Sequence, residues 1–373
     1  MMEMRKWKNN DIETSLLGFG CMRFPTQADG SIEPKESTAM LELAYDSGVN
    51  YYDTAYMYHD GASEYFVGQW LNTKPRDSYY LTTKLPMGMI NSLEQAKEIF
   101  ENQRKKLDKD YFDFYLLHAL NADSWKKTLE FGILDYCEQL LAEGKIRHLG
   151  FSFHDGYDVF EEIIRYRKWD LCQIQYNYID QEEQAGNRGY QLAEELGVPM
   201  VIMEPVKGGS LVNLPDEVVS DFRAIDPAAS LASLGYRWVG SHSNVMVVLS
   251  GMSSLTQAKD NIQTFTDFSS LSDAEYQAVD SIIAKIKSRV KNGCTGCRYC
   301  MPCPNGVNIP RNFAIWNEYA MYHNDGSLQW QLSDIAASEK ATNCIGCGKC
   351  EKACPQQLPI RRDLKTLQAE LGM

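Results

Sequence analysis

The sequence predicts an α/β fold, a (β/α)8 TIM barrel followed by a small, mainly helical domain, and three observations carry that reading. Between residues 12 and 265, eight short β-rich apolar runs alternate with longer segments of helical period. Several runs, among them Phe112-Asp113-Phe114-Tyr115-Leu116-Leu117 and Val201-Ile202-Met203, are close to continuously apolar, as parallel strands covered on both faces are. Eight of the 11 cysteines then fall between Cys294 and Cys354, after the alternation has stopped.

The expected strands are 16–21, 50–54, 79–85, 112–118, 148–153, 171–175, 200–204 and 245–249. Between them lie amphipathic segments such as 35–47, closed by Gly48 at the C-cap, and 92–107, where Ser92 with Gln95 offers a capping box. Eight such units over about 250 residues is the size of a barrel. A doubly wound open sheet is the alternative, but the first strand is followed by no G-x-G-x-x-G; Gly18-Phe19-Gly20 is a fragment of that pattern. A polar helix over 273–291, with Ile282, Ile283 and Ile286 on one face, leads out of the barrel, and the expected domains are 1–285 and 286–373.

Composition bounds the function. The chain has 373 residues, 44% hydrophobic and 23% charged, which is ordinary for a globular protein and excludes disorder or a collagen-like repeat. Its best apolar run, Val245-Met246-Val247-Val248-Leu249, is far below the roughly 20 residues of a membrane helix. Residues 1–10 lack the apolar core of a signal peptide, so a cytoplasmic location and no membrane partner are expected. The net charge of −13 argues against nucleic-acid binding. From Ile286 onward the chain carries 11 Lys+Arg and 7 Asp+Glu, so +4 belongs to the tail and −17 to the rest.

Two pseudo-repeats organise the tail, Cys294-x2-Cys297-x2-Cys300-x2-Cys303-Pro304 and Cys344-x2-Cys347-x2-Cys350-x3-Cys354-Pro355. Two intervening residues let successive thiolates point at one centre, and the proline turns the backbone away. Repeated in tandem, the pattern is specific for iron–sulfur ligation and makes the tail a ferredoxin-like domain with two [4Fe–4S] clusters. In two-cluster ferredoxins the fourth cysteine of each run ligates the other cluster. By that logic Cys294, Cys297, Cys300 and Cys354 hold one cluster, and Cys344, Cys347, Cys350 and Cys303 the other. The first run has x2 where x3 is usual, and a pair of structural zinc sites, each with four cysteine ligands, is the competing reading.

In the barrel, Asp53, Tyr58, Lys84 and His118 fall at or just beyond the C-terminal ends of successive expected strands, where barrel enzymes place their chemistry. Lys84 stands out because a lysine inside Tyr79-Tyr80-Leu81-Thr82-Thr83-Lys84-Leu85 is costly to bury without a partner.

Four stretches make the chain resemble the aldo-keto reductase superfamily: Asp46-Ser47-Gly48-Val49-Asn50-Tyr51-Tyr52-Asp53-Thr54-Ala55-Tyr56-Met57-Tyr58, continuing to Gly61-Ala62-Ser63-Glu64; Thr82-Thr83-Lys84; Asp113-Phe114-Tyr115-Leu116-Leu117-His118; and Glu143-Gly144-Lys145-Ile146-Arg147-His148-Leu149-Gly150-Phe151-Ser152. With the cysteine tail, the chain is similar to the ferredoxin-fused branch of that superfamily. The resemblance implies an NAD(P)H-dependent oxidoreductase that reduces a small-molecule aldehyde or ketone, with Asp53, Tyr58, Lys84 and His118 as its catalytic tetrad. Tyr58 would act as the acid, its pKa lowered by Lys84; Asp53 would orient Lys84, and His118 would bond the carbonyl oxygen.

The resemblance also implies that Gly251, Ser253, Gln257 and Asn261 contact the adenosine phosphate, that Ser152 and Gln175 hold the carboxamide, and that the loop 205–211 covers the pyrophosphate. Phe153, Met203 and Ser253 depart from the usual Asn, stacking aromatic and basic residue, so the cofactor is NADPH or NADH. Tyr56, His59, His154, Tyr178 and Trp238 are loop aromatics available to a substrate pocket or to packing. Because nicotinamide delivers two electrons and a four-iron cluster normally passes one, a ferredoxin-like or flavin electron carrier is a candidate partner. The alternative function is an electron-transfer or redox-sensing protein whose barrel binds nucleotide with little turnover.

Overall fold

A computed structural model of the chain describes residues 1–7 and 11–373. Two compact units are present, Met1–Gly208 with Ser230–Ser272, and Gly209–Ala229 with Asp273–Met373.

Among the described residues, the first unit is built on ten strands. β1 (Met4–Lys6) and β2 (Glu13–Ser15) form an antiparallel pair, and β3 (Leu17–Gly20), β4 (Tyr51–Asp53), β5 (Tyr80–Leu85), β6 (Phe112–Leu120), β7 (Ile146–Phe153), β8 (Leu171–Gln175), β9 (Met200–Met203) and β10 (Val245–Ser250) close into a barrel. Every pairing in the barrel is parallel, with β10 returning to β3. All eight expected strands are present within a few residues of their expected ends, and closure excludes the open doubly wound sheet. Helices Pro34–Asp46 and Leu93–Leu107 correspond to two of the expected amphipathic segments. Gly48 takes the left-handed turn (φ +94°) after the first of these, and Ser92 caps the second by accepting from the Gln95 amide at 3.2 Å. Gln95 returns its side chain to the Asn91 amide and not to that of Ser92, so the reciprocal half of the capping box is displaced by one residue.

Sequence patterning missed the β1–β2 pair, whose strands are only three residues long. Its contribution is Trp7, buried at 1% exposure within a cluster that includes Tyr51, Phe114, Leu171 and Val247. The indole stacks on Phe114 at 5.1 Å and donates to Thr14 Oγ1 at 3.0 Å. Ser15 N donates to Asn50 Oδ1 just before β4, and Thr14 Oγ1 donates to Met246 O near the start of β10. These contacts set the pair at the N-terminal end of the barrel, leaving the C-terminal end for chemistry.

In the second unit, helix Asp273–Ser288 buries Ile282 and Ile286 while Ile283 is half-buried, and it pairs with helix Asp216–Ile225, Lys285 lying 2.9 Å from Asp221. Helices Ile309–Tyr322, Asp325–Asp334 and Ile360–Leu371 contribute to an apolar core that includes Phe313, Trp316, Leu328, Leu364 and Leu367. Six of the clustered cysteines pack against that core: Cys294, Cys300, Cys303, Cys344, Cys350 and Cys354. Among the described residues no helix is long and apolar enough to cross a membrane.

Candidate active site and cysteine centres

Parallel strands deliver their last residues to one rim, and that geometry collects the tetrad. Asp53 ends β4, Lys84 is the penultimate residue of β5, and His118 lies near the end of β6. Lys84 has no exposed surface, and its Nζ donates to Asp53 Oδ1 at 2.6 Å, to the Thr54 carbonyl at 2.8 Å and to Tyr58 Oη at 3.4 Å. All three ammonium protons are therefore placed, which removes the cost expected of a buried unpaired lysine. Tyr58 sits on the short turn Tyr58–Gly61, in which His59 (φ 51°) and Asp60 (φ 53°) both adopt left-handed backbone. Strained non-glycine residues persist where the surroundings over-determine them. Here the Phe24 amide donates to His59 Nε2 at 3.1 Å and fixes the turn that aims Tyr58.

His118 presents its ring edge-on to Tyr58 with centroids 6.0 Å apart. The β6–β7 register slips between Leu117 and Leu120, and Ala119 takes a left-handed φ of +52°. Such a bulge re-aims a side chain at a strand end. Ser152 Oγ holds it by accepting from the Ala119 amide at 2.7 Å.

The protonation states follow from burial and neighbours. Burial would lower the Lys84 pKa, but Asp53 and Tyr58 reverse that and hold it above the ordinary lysine value, so Lys84 is an ammonium. Burial raises the Asp53 carboxyl, with Lys84 opposing. Burial also raises the Tyr58 phenol and outweighs the lowering by the ammonium beside it, so the net shift is upward where the resemblance implies a lowered pKa. Tyr58 therefore carries its proton. Burial, with Lys84 and His154 adding positive potential, pushes His118 down to about 3, so the imidazole is neutral.

A second buried network stands behind Lys84 and has no counterpart in the sequence reading. Glu64 Oε1 accepts from Thr83 Oγ1 at 2.7 Å and from Gln103 Nε2 at 2.7 Å. Gln103 Nε2 also reaches the Lys84 carbonyl at 2.9 Å, and Gln103 Oε1 accepts from Tyr115 at 2.8 Å. Gln103 thus ties the backbone of Lys84 to helix Leu93–Leu107.

The expected nucleotide contacts are dispersed along the same rim. Gln175 ends β8, with its Nε2 on Asp180 and its Oε1 accepting from Gln184, both at 2.9 Å. Gly251 and Ser253 follow β10. Gln257 Oε1 accepts from Ser253 N at 2.8 Å, and Asn261 is buried with its Nδ2 on Ser250 Oγ at 2.9 Å. Phe153 points away from Ser152 and packs edge-on against Phe160 at 5.3 Å. Met203 Sδ faces Gln173 Nε2 at 3.7 Å. Tyr178 and Trp238 pack against each other, buried.

The two cysteine runs share a backbone conformation. In each, the residue before the second cysteine (Gly296, φ +70°; Gly346, φ +69°) and the residue after it (Arg298, φ +63°; Gly348, φ +74°) are left-handed. Cys300, Cys303, Cys344, Cys347 and Cys350 line one cavity. Cys294, Cys297, Cys300 and Cys354 line another. The cysteines thus line two cavities, and a set of thiolate donors is the one an iron–sulfur group takes.

A closed parallel barrel with a lysine–carboxylate pair, a tyrosine and a histidine on its C-terminal rim defines a barrel oxidoreductase. Residues 16–284 match the model of the aldo/keto reductase family, and the chain belongs to that family. Residues 293–358 match a 4Fe-4S dicluster domain. The chain is 25% identical over 311 residues to the uncharacterized oxidoreductase YqkF of Bacillus subtilis, covering 75% of this chain and 96% of that one. It is 30% identical over 251 residues to the methylglyoxal reductase YeaE of Escherichia coli, covering 64% and 82%. Among solved structures, the holo form of aldo-keto reductase AKR11C1 from Bacillus halodurans matches with a TM-score of 0.64 at 27% identity, over 76% of this chain and 96% of that one. The fold is also that of a Klebsiella pneumoniae aldo-keto reductase solved with NADPH, at a TM-score of 0.62 and 22% identity, over 76% and 95%.

Proposed function

We propose that the barrel reduces an aldehyde or ketone with a nicotinamide nucleotide, Tyr58 serving as the general acid. The observation that carries the reading is the Lys84 ammonium, which contacts Asp53 and Tyr58 together inside a buried site. When bound, nicotinamide supplies the hydride. Tyr58 holds the proton that the developing alkoxide needs, and a phenol kept protonated by burial is in the correct starting state. Lys84 stabilises the phenolate left behind, and Asp53 keeps Lys84 charged and aimed. Neutral His118 donates a hydrogen bond to the carbonyl oxygen without competing for the proton. Ser152 and Gln175 would hold the carboxamide, with Gly251, Ser253, Gln257 and Asn261 toward the adenosine phosphate.

In the second unit Cys294, Cys297, Cys300 and Cys354 would hold one [4Fe–4S] cluster and Cys303, Cys344, Cys347 and Cys350 a second. The two cavities support this crossed ligation, since apart from the shared Cys300 their cysteine linings divide in that way. Bound clusters would supply one-electron transfer.

The test is Tyr58→Phe in anaerobically purified protein, assayed against a carbonyl panel with NADPH and NADH. The expected result is loss of turnover by at least about a hundredfold with nucleotide binding retained. Near-normal turnover would refute the assignment.

A further inference from the structure

The rim around β9 and β10 offers several groups that could receive the phosphates of a dinucleotide, and most are already engaged by the chain itself. The Leu255 amide at the start of helix Leu255–Thr266 donates to Glu36 Oε1 at 3.0 Å. The Gln257 amide donates to Ser254 Oγ at 3.3 Å, and the Ser253 amide to Gln257 Oε1. Lys207, in the loop after β9, lies 2.7 and 2.8 Å from the two oxygens of Asp180. A lysine held by both oxygens of an aspartate has little charge to spare for the diphosphate.

Arg23 is different. It is solvent-exposed, and among the described residues it has no ion pair or hydrogen bond. Two glycines give it room to lie across the rim. A Cβ built on Gly251 would stand 3.1, 3.2 and 3.3 Å from Arg23 Cδ, Cγ and Cβ, so the aliphatic stem lies on the bare backbone of the loop after β10. A Cβ on Gly208 would stand 3.5 Å from Arg23 Nη2, so the guanidinium reaches the loop after β9. The side chain therefore spans the two loops with its planar fork unsatisfied, and a guanidinium fork matches phosphate oxygens two at a time. In a chain of net charge −13, an unpaired cation placed across the C-terminal rim of the barrel is the feature that would draw an anion to it.

We propose that Arg23 binds the diphosphate of the nicotinamide dinucleotide. This rests on the reductase reading above and names a phosphate-binding residue for it. Because the guanidinium lies at the Gly208 loop and not at the start of helix Leu255–Thr266, the phosphate concerned is the diphosphate shared by NADH and NADPH.

The experiment measures dissociation constants for both nucleotides by fluorescence titration of the full chain, as wild type, Arg23→Ala and Arg23→Lys, with melting temperatures alongside. Arg23→Ala is expected to weaken NADH and NADPH equally, by about tenfold or more, with an unchanged melting temperature and partial recovery in Arg23→Lys. A loss confined to NADPH would overturn the assignment in favour of the 2′-phosphate, and equal affinities in wild type and Arg23→Ala would overturn it altogether. Wild-type protein that binds neither nucleotide would refute the reductase reading itself, and the role of Arg23 with it.

Discussion

Lys84 meets Asp53 through one carboxylate oxygen only: Oδ1 lies 2.6 Å from the ammonium, whereas Oδ2 is buried with no hydrogen-bond partner among the described residues. The pair is sealed, with side-chain exposures of 0% and 3%. Burying two charges can cost as much as their attraction returns, so the pair adds little stability by itself. Tyr58 lies 3.4 Å from the same ammonium, and the proposed acid role makes it the group on which the pair acts.

Asp53→Asn should therefore act on stability and rate together. Removing the carboxylate charge strands a buried ammonium, at a cost of about 3–5 kcal/mol in urea unfolding. It also frees Lys84 from its aim at Tyr58, so kcat should fall by about a hundredfold or more while nucleotide affinity stays near wild type. A stable variant with unchanged kcat would show that the pair serves packing alone.

His118 gives a prediction on pH. Its pKa of about 3 lies well below that of an unfolded histidine, ~6.5. Between those values the unfolded chain binds a proton that the folded chain does not, so this group's contribution to stability is complete above about pH 6.5 and is lost as pH falls toward 3. The imidazole should stay neutral across the working range. In NMR titrations of wild type against His118→Gln, the resonance assigned to His118 should show no protonation step above pH 5, and the variant should lower kcat without moving the pH profile. A step near pH 6.5 in the His118 resonance would contradict the neutral-donor role.

Gln103 is expected to be a positioning residue for Lys84. Gln103→Leu removes one of the partners of the Glu64 carboxylate and the hydrogen bonds from Tyr115 and to the Lys84 carbonyl at once. The stability loss should be about 2–4 kcal/mol, the sum of groups left buried without partners. The kinetic signature that separates positioning from stability is a fall in kcat with KM for the carbonyl retained, measured well below the melting temperature. A wild-type kcat in Gln103→Leu would leave the network a purely structural one.

That network also marks where sequence reasoning stopped. The strands, and the rim positions of Asp53, Lys84 and His118, were legible because parallel strands are written as dense apolar runs and deliver their ends to one rim, so a lysine at position 84 is anomalous on sight; the grouping of these residues with Tyr58 as a tetrad rested on the resemblance. Gln103 lies in a helix whose charged residues are mostly solvent-facing, and nothing in a one-dimensional pattern separates its buried amide from Gln95 on the same helix. Glu64 stood within a quoted stretch but had no partner to give it meaning until the fold brought Thr83 and Gln103 to it. The upward shift of Tyr58 is hidden for a related reason, since the order of the motifs places a lysine near it whereas the extent of burial is a property of the fold. Arg23 escaped notice because its importance lies in the two glycines beneath it, 185 and 228 positions further along the chain.

Crossed ligation in the second unit can be tested against ligation within each run by combining substitutions. In a background with Cys294, Cys297 and Cys300 all changed to Ala, one cluster is lost on either scheme and the remaining cysteines serve the other. Crossed ligation assigns that surviving cluster to Cys303, Cys344, Cys347 and Cys350, so adding Cys354→Ala should leave its iron, labile sulfide and reduced-state EPR signal unchanged, while adding Cys303→Ala should deplete or convert it. Ligation within each run makes the opposite assignment, with Cys354 essential and Cys303 dispensable. The linings of the two cavities, where Cys303 accompanies the second run and Cys354 the first, set the crossed outcome as the expectation. Zinc in the wild-type protein with no labile sulfide would remove the basis for both schemes.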